Sequence, residues 1–240
     1  MTLNKKILLV GSQHGDETLG SELFEYLQLH FANLMPSIEY ICANPRAYEQ
    51  ETRFIESDMN RSYALKNEPR PYEELQADRL LKHIAENNYD YVLDIHTTTT
   101  DVGLCLIFAS SHLSLLPRIT NAASITNIVI IPDSITKHSL IGNQANSFSI
   151  ECNDSLSEDL STLEVLSELV ERLADNKEGP VRTRELYYVD AFIDPQAQYD
   201  YEKLENFVLA PNNRYPILSG GKANRTYRGF WASRKQSVNY

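Results

Sequence analysis

The chain has 240 residues, of which 42% are hydrophobic and 23% charged, and its net charge is −11. This composition is ordinary for a globular protein with room for one large domain, and an acidic chain without a basic run is not expected to bind nucleic acid or an anionic membrane surface. Because no apolar stretch approaches the ~20 residues that a membrane helix needs, no signal-peptide pattern precedes the first apolar run and the three cysteines are sparse, we expect a cytoplasmic protein with reduced thiols.

The hydrophobic pattern alternates along the chain between strand-like runs and helix-like periodicity. Strands are predicted where short apolar runs end at turn signals, at residues 6–11, 37–43, 89–96, 103–109, 127–131 and 147–152. Helices are predicted where apolar residues recur every three or four positions, at residues 17–31, 71–88, 111–124 and 157–174. Two stretches without a clear period, 46–63 and 135–144, are predicted to be loops, and the first is long enough to be functional.

This order of elements predicts an α/β fold with a mixed, largely parallel sheet and helices on both faces. A polar stretch ending in Gly-Pro at residues 176–180 predicts a boundary. We therefore expect a catalytic domain at residues 1–178 and a small β-rich segment at residues 179–240. Strand-like pieces of that segment are predicted at residues 186–193, 207–209, 215–218 and 229–232.

The first candidate site lies where the first strand gives way to the first helix. Gly11 ends the strand, so His14 and Glu17 share a tight turn, three residues apart. That offset can aim an imidazole and a carboxylate at one point, as a transition-metal site requires. Taken alone, the pair fits equally well a turn histidine followed by a carboxylate that the helix dipole favours.

His96 supplies a third candidate ligand at the C-terminal end of a predicted strand, the edge where open α/β sheets place their ligand sites. Two histidines and a glutamate are a ligand set of catalytic zinc, which keeps a fourth position open. The sequence therefore predicts one zinc ion per chain, held by His14, Glu17 and His96, although such a set can take several divalent metals. Asp94 shares a strand face with His96 and could either support the imidazole or anchor a neighbouring loop.

The long predicted loop places Arg53, Asn60 and Arg61 close together in sequence. Two guanidinium groups could divide the work, one polarising a scissile carbonyl and the other forking onto a substrate carboxylate. A solvated loop with incidental salt bridges is the alternative.

Glu151 ends an apolar strand, which is an unfavourable place for a lone carboxylate. Partial desolvation would raise its pKa toward neutrality and suit it to act as a general base. A strand-edge glutamate in a salt bridge is the alternative. Cys152 follows directly, but no neighbour in the sequence would activate a thiol nucleophile there.

Together these motifs resemble the succinylglutamate desuccinylase/aspartoacylase family, which has a zinc carboxypeptidase-like fold. The resemblance covers roughly residues 5–155 and rests on four motifs in order: His14-Gly15-Asp16-Glu17, Arg53 with Asp58-Met59-Asn60-Arg61, Asp94-Ile95-His96-Thr97-Thr98, and Ser149-Ile150-Glu151. It implies that His14, Glu17 and His96 bind zinc.

The resemblance also implies roles for the other candidates. Arg53 would polarise the acyl carbonyl, Asn60 and Arg61 would hold the carboxylate of the amino acid, and Glu151 would be the general base. The family hydrolyses N-acyl amino acids, so we expect a zinc-dependent hydrolase that cleaves the amide bond of a small anionic N-acyl amino acid. A metallocarboxypeptidase acting on short peptides and a non-catalytic metal- or ligand-binding relative are the alternatives, and the oligomeric state is open, a homo-oligomer included.

Two departures from the family pattern concern the substrate pocket. Aspartoacylases carry a further arginine shortly before the general base, where this chain has Ile141-Gly142-Asn143-Gln144. They also carry a tyrosine in the C-terminal segment, where the nearest residues here are Arg225 and Tyr227. N-acetylaspartate and N-succinylglutamate are therefore not the expected substrates, and Arg225 or Arg228 is the candidate to replace the missing arginine.

Overall fold

A mixed sheet runs through the part of the chain that the computed structural model describes, residues 5–194, 204–220 and 229–240. Its nine strands lie in the order β2-β1-β3-β6-β4-β5-β7-β9-β8. The strands are β1 Ile7–Gly11, β2 Ile38–Cys42, β3 Tyr91–Thr98, β4 Leu104–Ala109, β5 Asn127–Ile131, β6 Ser147–Asn153, β7 Thr183–Phe192, β8 Tyr215–Ile217 and β9 Phe230–Asn239.

Helices cover both faces of this sheet. The α-helices are α1 Leu19–His30, α2 Pro45–Glu49, α3 Tyr72–Asn87, α4 Leu116–Ala122, α5 Asp133–Thr136, α6 Leu140–Asn143, α7 Asp154–Ser157 and α8 Leu160–Ala174. Short 3₁₀ turns span Ala32–Ser37, Met59–Arg61 and Ser110–Leu115. The predicted fold class is confirmed. Among the described helices, none combines the length and apolar character that crossing a membrane demands.

Strand direction determines where the site forms. β1, β2, β3 and β6 are mutually parallel along the sheet, whereas β4 runs antiparallel to β6. β5 and β7 follow β4 in parallel. The carboxyl ends of β1, β3 and β6 therefore meet at one edge, and the loops that leave them converge there.

Alternating side chains of β1 place hydrophobic core on both faces of the sheet. Ile7 and Leu9 belong to a cluster with apolar residues of α1, α4 and α8. Leu8 and Val10 belong to a second cluster with residues of α3 and with Leu140 of α6. A strand buried on both faces reads as a continuous apolar run, which is why it was visible in the sequence.

Both stretches predicted to be loops contain short helices, so those predictions are wrong in part. Residues 46–63 begin within α2 and include a 3₁₀ turn, and residues 135–144 include the end of α5 and the whole of α6. Asn44 caps α2, because its Oδ1 accepts a hydrogen bond from the backbone N–H of Ala47 at 3.3 Å, and Pro45 occupies the first helical turn. Asn-Pro is therefore a helix start here rather than only a turn.

The described strands beyond residue 178 continue the same sheet. β7 pairs in parallel with β5, and β9 pairs antiparallel with both β7 and β8. The piece predicted at 207–209 is a turn, since Phe207 has a positive φ of 65°, and the piece predicted at 229–232 is the start of the longer β9. The division at residue 178 stays a prediction. Arg225, Tyr227 and Arg228 lie outside the described residues.

Candidate metal centre

The three predicted ligands lie together at the carboxyl edge of the sheet. His14 and Glu17 occupy the turn between β1 and α1, and His96 is on β3, adjacent to β1. His14 Nδ1 lies 2.7 Å from Glu17 Oε1, and His96 Nδ1 lies 2.8 Å from Glu17 Oε2. One donor atom from each residue lies within 4.8 Å of the others, and all three side chains are buried.

The second nitrogen of each imidazole faces a further carboxylate. Asp58 Oδ1 lies 3.0 Å from His14 Nε2, and Asp94 Oδ1 lies 3.0 Å from His96 Nε2. Such carboxylates orient the imidazole and raise its basicity as a ligand. Asp94 thus supports His96 and also accepts a hydrogen bond from Ser149 Oγ on β6 at 3.0 Å.

A buried amide connects this centre to the segment that precedes α3. Gln13 Nε2 donates to Asp94 Oδ1, and Gln13 Oε1 accepts the hydroxyl hydrogen bond of Tyr63 at 2.8 Å. Gln13, Tyr63 and Asp94 are all fully buried. The chain Tyr63–Gln13–Asp94 therefore restricts how far His96 can turn.

Backbone packing holds the turn that carries His14 and Glu17. The N–H of Gly15 donates to the carbonyl of Arg53 at 3.2 Å. A Cβ at Gly15 would lie 2.1 Å from the carbonyl carbon of Ala47 in α2. Glycine is therefore required at position 15 by the close approach of two backbones.

The long polar stretch brings Arg53 and Asn60 to the same centre. Arg53 Nη1 donates to Glu17 Oε1 at 3.3 Å, and its Nη2 lies 3.8 Å from Asp58 Oδ2. Asn60 Nδ2 lies 3.3 Å from His96 Nε2. Arg61 is exposed, and its Nη1 donates to the carbonyl of Asn60 at 2.5 Å. Of these three residues, Arg53 and Asn60 contact the candidate ligands directly.

Glu151 lies opposite His96 in the parallel ladder between β3 and β6, so both side chains leave the same face of the sheet. Burial raises the pKa of Glu151 to about 7, although the neighbouring His96 opposes the rise. Burial also raises the pKa of Cys152 to about 12, so this thiol stays protonated near neutral pH. The carboxylate, not the thiol, is the group suited to accept a proton here.

The charges of the ligand cluster support one another. Burial alone would raise the pKa of Glu17, but His14 and His96 outweigh it and hold that pKa well below its usual range. Burial would likewise lower the pKa values of His14 and His96, but the carboxylates around each of them reverse the effect. A bound cation would take the place of the imidazole protons and share the anionic Glu17 with both rings.

The donor set fits zinc. Two imidazoles and one carboxylate converge, and each imidazole has a carboxylate on its far nitrogen. With three protein ligands, a catalytic zinc ion would keep its fourth position for substrate or solvent. Glu17, His14 and His96 would hold the ion. Other divalent metals accept the same ligands, so the donor set alone does not select zinc over them.

Sequence reasoning did not identify several residues that build this centre. Asp58 was visible within its motif, but nothing in the sequence linked it to His14, which lies 44 positions earlier. Gln13, Tyr63 and Ser149 are buried polar residues, and that burial became evident only from the structure.

A sequence model of the succinylglutamate desuccinylase/aspartoacylase catalytic domain matches residues 4–176 of this chain. The chain belongs to this family. The assignment made from the four motifs is thereby confirmed. Mouse aspartoacylase is 34% identical over an alignment of 124 residues, and the match covers 45% of this chain and 39% of the mouse protein. The match thus spans well under half the length of this curated relative.

Solved structures of similar fold include other proteins named as acylases or desuccinylases. Murine aminoacylase 3 aligns with a TM-score of 0.70 at 20% identity, over 100% of this chain and 98% of that chain. The succinylglutamate desuccinylase from Chromobacterium violaceum aligns with a TM-score of 0.73 at 16% identity, over 98% of this chain and 85% of that chain. At these identities the likeness shows the shared fold of the desuccinylase/aspartoacylase family.

Proposed function

We propose that this chain is a zinc-dependent amide hydrolase that removes the acyl group from a small N-acyl amino acid. The observation that carries the proposal is the convergence of His14, Glu17 and His96 at the sheet edge, with Glu151 opposite His96 in the ladder. When bound, zinc would supply Lewis-acid polarisation of oxygen ligands and positive charge beside a developing oxyanion.

Glu151 is suited to be the proton carrier of this reaction. Its pKa of about 7 lets the carboxylate accept a proton at neutral pH and return it to the departing amine. Its register opposite His96 puts it beside the ligand cluster without making it one of the three predicted ligands.

Arg53 and the loop that follows it are suited to bind the substrate. Arg53 is partly buried, and its guanidinium reaches Glu17 and Asp58, so a substrate carbonyl near the ligands would lie within its reach. Asn60 and Arg61 follow at the rim, where a guanidinium and an amide can hold a carboxylate. The substrate class supported by these groups is an amide that bears a carboxylate on the amine side.

The deciding experiment is an assay of amine release from N-acetyl, N-succinyl and N-formyl amino acids by the zinc-loaded protein. Release that a chelator abolishes and zinc restores is the expected result. Short peptides serve in the same panel, because faster release from peptides would favour a carboxypeptidase over a deacylase.

Glu151→Gln is the matched control for this assay. It keeps the size of the side chain but cannot carry the proton, so turnover should be lost while the zinc content stays at one ion per chain. A fully active Glu151→Gln protein would contradict the assigned role. A wild-type protein that binds zinc and releases no amine from any compound would contradict the hydrolase proposal.

A further inference from the structure

Glu73 is a fully buried glutamate that none of the predicted ligands or catalytic groups touches. It lies in the first turn of α3, and its carboxylate accepts hydrogen bonds from three consecutive backbone N–H groups. Oε1 accepts from Ile55 at 2.7 Å, and Oε2 accepts from Glu56 at 3.2 Å and from Ser57 at 3.0 Å. Charge-assisted bonds of this kind are stronger than those between neutral groups.

Hydrogen bonds made by Glu56 and by Asn44 extend this network on both sides of Glu73. Glu56 Oε2 accepts from the N–H of Tyr72 at 2.6 Å, so the anchored segment in turn caps the first turn of α3. Asn44 Nδ2 lies 3.3 Å from Glu73 Oε1 and 3.4 Å from the carbonyl oxygen of Gln13. Glu73 thereby joins α3, the segment 55–57 and the turn that carries His14.

The anchored segment lies between two functional positions. Arg53 is two residues before Ile55, and Asp58 directly follows Ser57 with Asn60 two residues later. Placing an ionised carboxylate in the interior is costly unless its lone pairs are satisfied. Here the three N–H groups satisfy them, and the same bonds tie the backbone at residues 55–57 to α3.

We propose that Glu73 is a positioning residue, which sets where Arg53 and Asn60 meet the substrate. The inference rests on the hydrolase function proposed above. Glu73 makes no contact with substrate in this view. It acts through residues 55–57.

Glu74 offers a matched control in the same helical turn. It is equally buried, but its carboxylate accepts from the N–H of Asn67 at 3.2 Å and lies 3.6 Å from Arg70 Nε. Glu73→Gln and Glu74→Gln are therefore the same chemical change at adjacent buried sites, and only the first affects the segment that carries the substrate-binding groups.

The kinetic comparison uses two substrates, an N-acyl amino acid and the matched N-acyl amine that lacks the carboxylate. Glu73→Gln should lower kcat/KM for the N-acyl amino acid about 10- to 100-fold, the scale of a misplaced binding group. The loss of kcat/KM should be smaller for the N-acyl amine, because it has no carboxylate for Asn60 and Arg61 to bind. Glu74→Gln should leave both values close to wild type, and zinc content should be unchanged in both variants.

Amide hydrogen exchange tests the anchor without any turnover. The N–H groups of Ile55, Glu56 and Ser57 should exchange faster in Glu73→Gln and at the wild-type rate in Glu74→Gln. Unchanged exchange in Glu73→Gln would overturn the inference, and so would a kcat/KM for the N-acyl amino acid that equals the wild-type value. Faster exchange together with a wild-type protein that hydrolyses no amide would instead show that the anchor exists and that the proposed function is wrong.

Discussion

Glu17 is the residue around which the site is built. Two imidazole nitrogens lie within 2.8 Å of its two oxygens, and Arg53 Nη1 lies 3.3 Å from Oε1. Each imidazole has its own carboxylate behind it, Asp58 or Asp94. Individual side chains are thus oriented by partners far away in sequence.

The proposed role of Glu151 as general base predicts that activity depends on pH. A general base must be ionised, so kcat/KM should rise with pH as Glu151 titrates, near the pKa of about 7. A bound divalent cation would lower that pKa, because it favours the anion, so the rising limb in the zinc-loaded protein should lie at or below this value. The measurement is a pH profile of kcat/KM. A kcat/KM that falls as the pH rises from 5 to 8 would contradict the assignment.

The same residue predicts a pH-dependent stability of the metal-free protein. The folded-state pKa of Glu151 is raised from 4.5 to about 7, so the folded chain binds more protons in that window and loses stability as pH rises through it. Above pH 7, Glu151→Gln should be more stable than wild type by about 1–3 kcal/mol, and at pH 4 the two should be nearly equal. Denaturant unfolding with chelator present measures the difference.

The proposed role of Arg61 in binding the substrate carboxylate predicts a substrate-dependent change in KM. Arg61→Ala should raise KM for an N-acyl amino acid about 10- to 100-fold, the loss of one charge-assisted pair. Arg61→Lys should restore only part of the affinity, since lysine lacks the planar fork. Initial-rate kinetics on a substrate without the carboxylate provide the control, where KM should not move. An unchanged KM for the N-acyl amino acid would remove Arg61 from the binding role.

At the level of elements, the site depends on how α2 packs against the turn after β1. Gly15 approaches the backbone of Ala47, and the Gly15 N–H is bonded to Arg53. The turn, the short helix and the segment with Arg53 form one packed unit. A change that separates them should affect zinc binding as well as stability.

Gly15→Ala tests that packing. Its Cβ would meet backbone atoms of Ala47, which cannot rotate away, so we expect a loss of about 1–3 kcal/mol of stability and weaker zinc binding. Ala47→Gly is the control. It destabilises α2 by about 1 kcal/mol but adds no atom where the backbones of residues 15 and 47 meet. Unfolding curves and zinc titrations compare the two. Equal zinc affinities in wild type and Gly15→Ala would show that the turn does not need this contact.

For the whole molecule, the described C-terminal strands belong to the same sheet as the site. β7 is paired to β5, and Trp231 on β9 is almost fully buried. Strands that share one ladder lose their partners together when the sheet unfolds. The segment beyond residue 178 should therefore unfold with the rest of the chain.

Trp231 is the only tryptophan of the chain, and it lies on β9 between β7 and β8. Its fluorescence and the far-ultraviolet circular dichroism of the helices should follow the same denaturant transition, with one midpoint. If the fluorescence transition came first, residues 179–240 would behave as a separate unit, as the boundary at 178 predicts. A single shared midpoint would favour one cooperative domain.

Local patterns in the sequence were enough to predict strands β1 to β6, the long helices and the ligand types. Apolar runs such as β1 and the period of α8 reflect burial of whole faces, which leaves a repeating signal. His14, Glu17 and His96 were predictable because strand ends in an α/β sheet share one edge. The short helix α2 was missed because Asn44-Pro45 fits both a turn and a helix start, and four or five residues carry too little periodicity to choose.

Contacts between segments that are distant in sequence became known only from the tertiary structure. The pairing of Asp58 with His14, the Tyr63–Gln13–Asp94 chain and the anchor at Glu73 join residues 16 to 81 positions apart. The positions of β7, β9 and β8 beyond β5 are likewise set by strand pairing that joins distant parts of the chain. Sequence patterns record which side chains are buried and which are polar. The partner of each buried polar group is chosen by packing in three dimensions, and no local pattern encodes that choice.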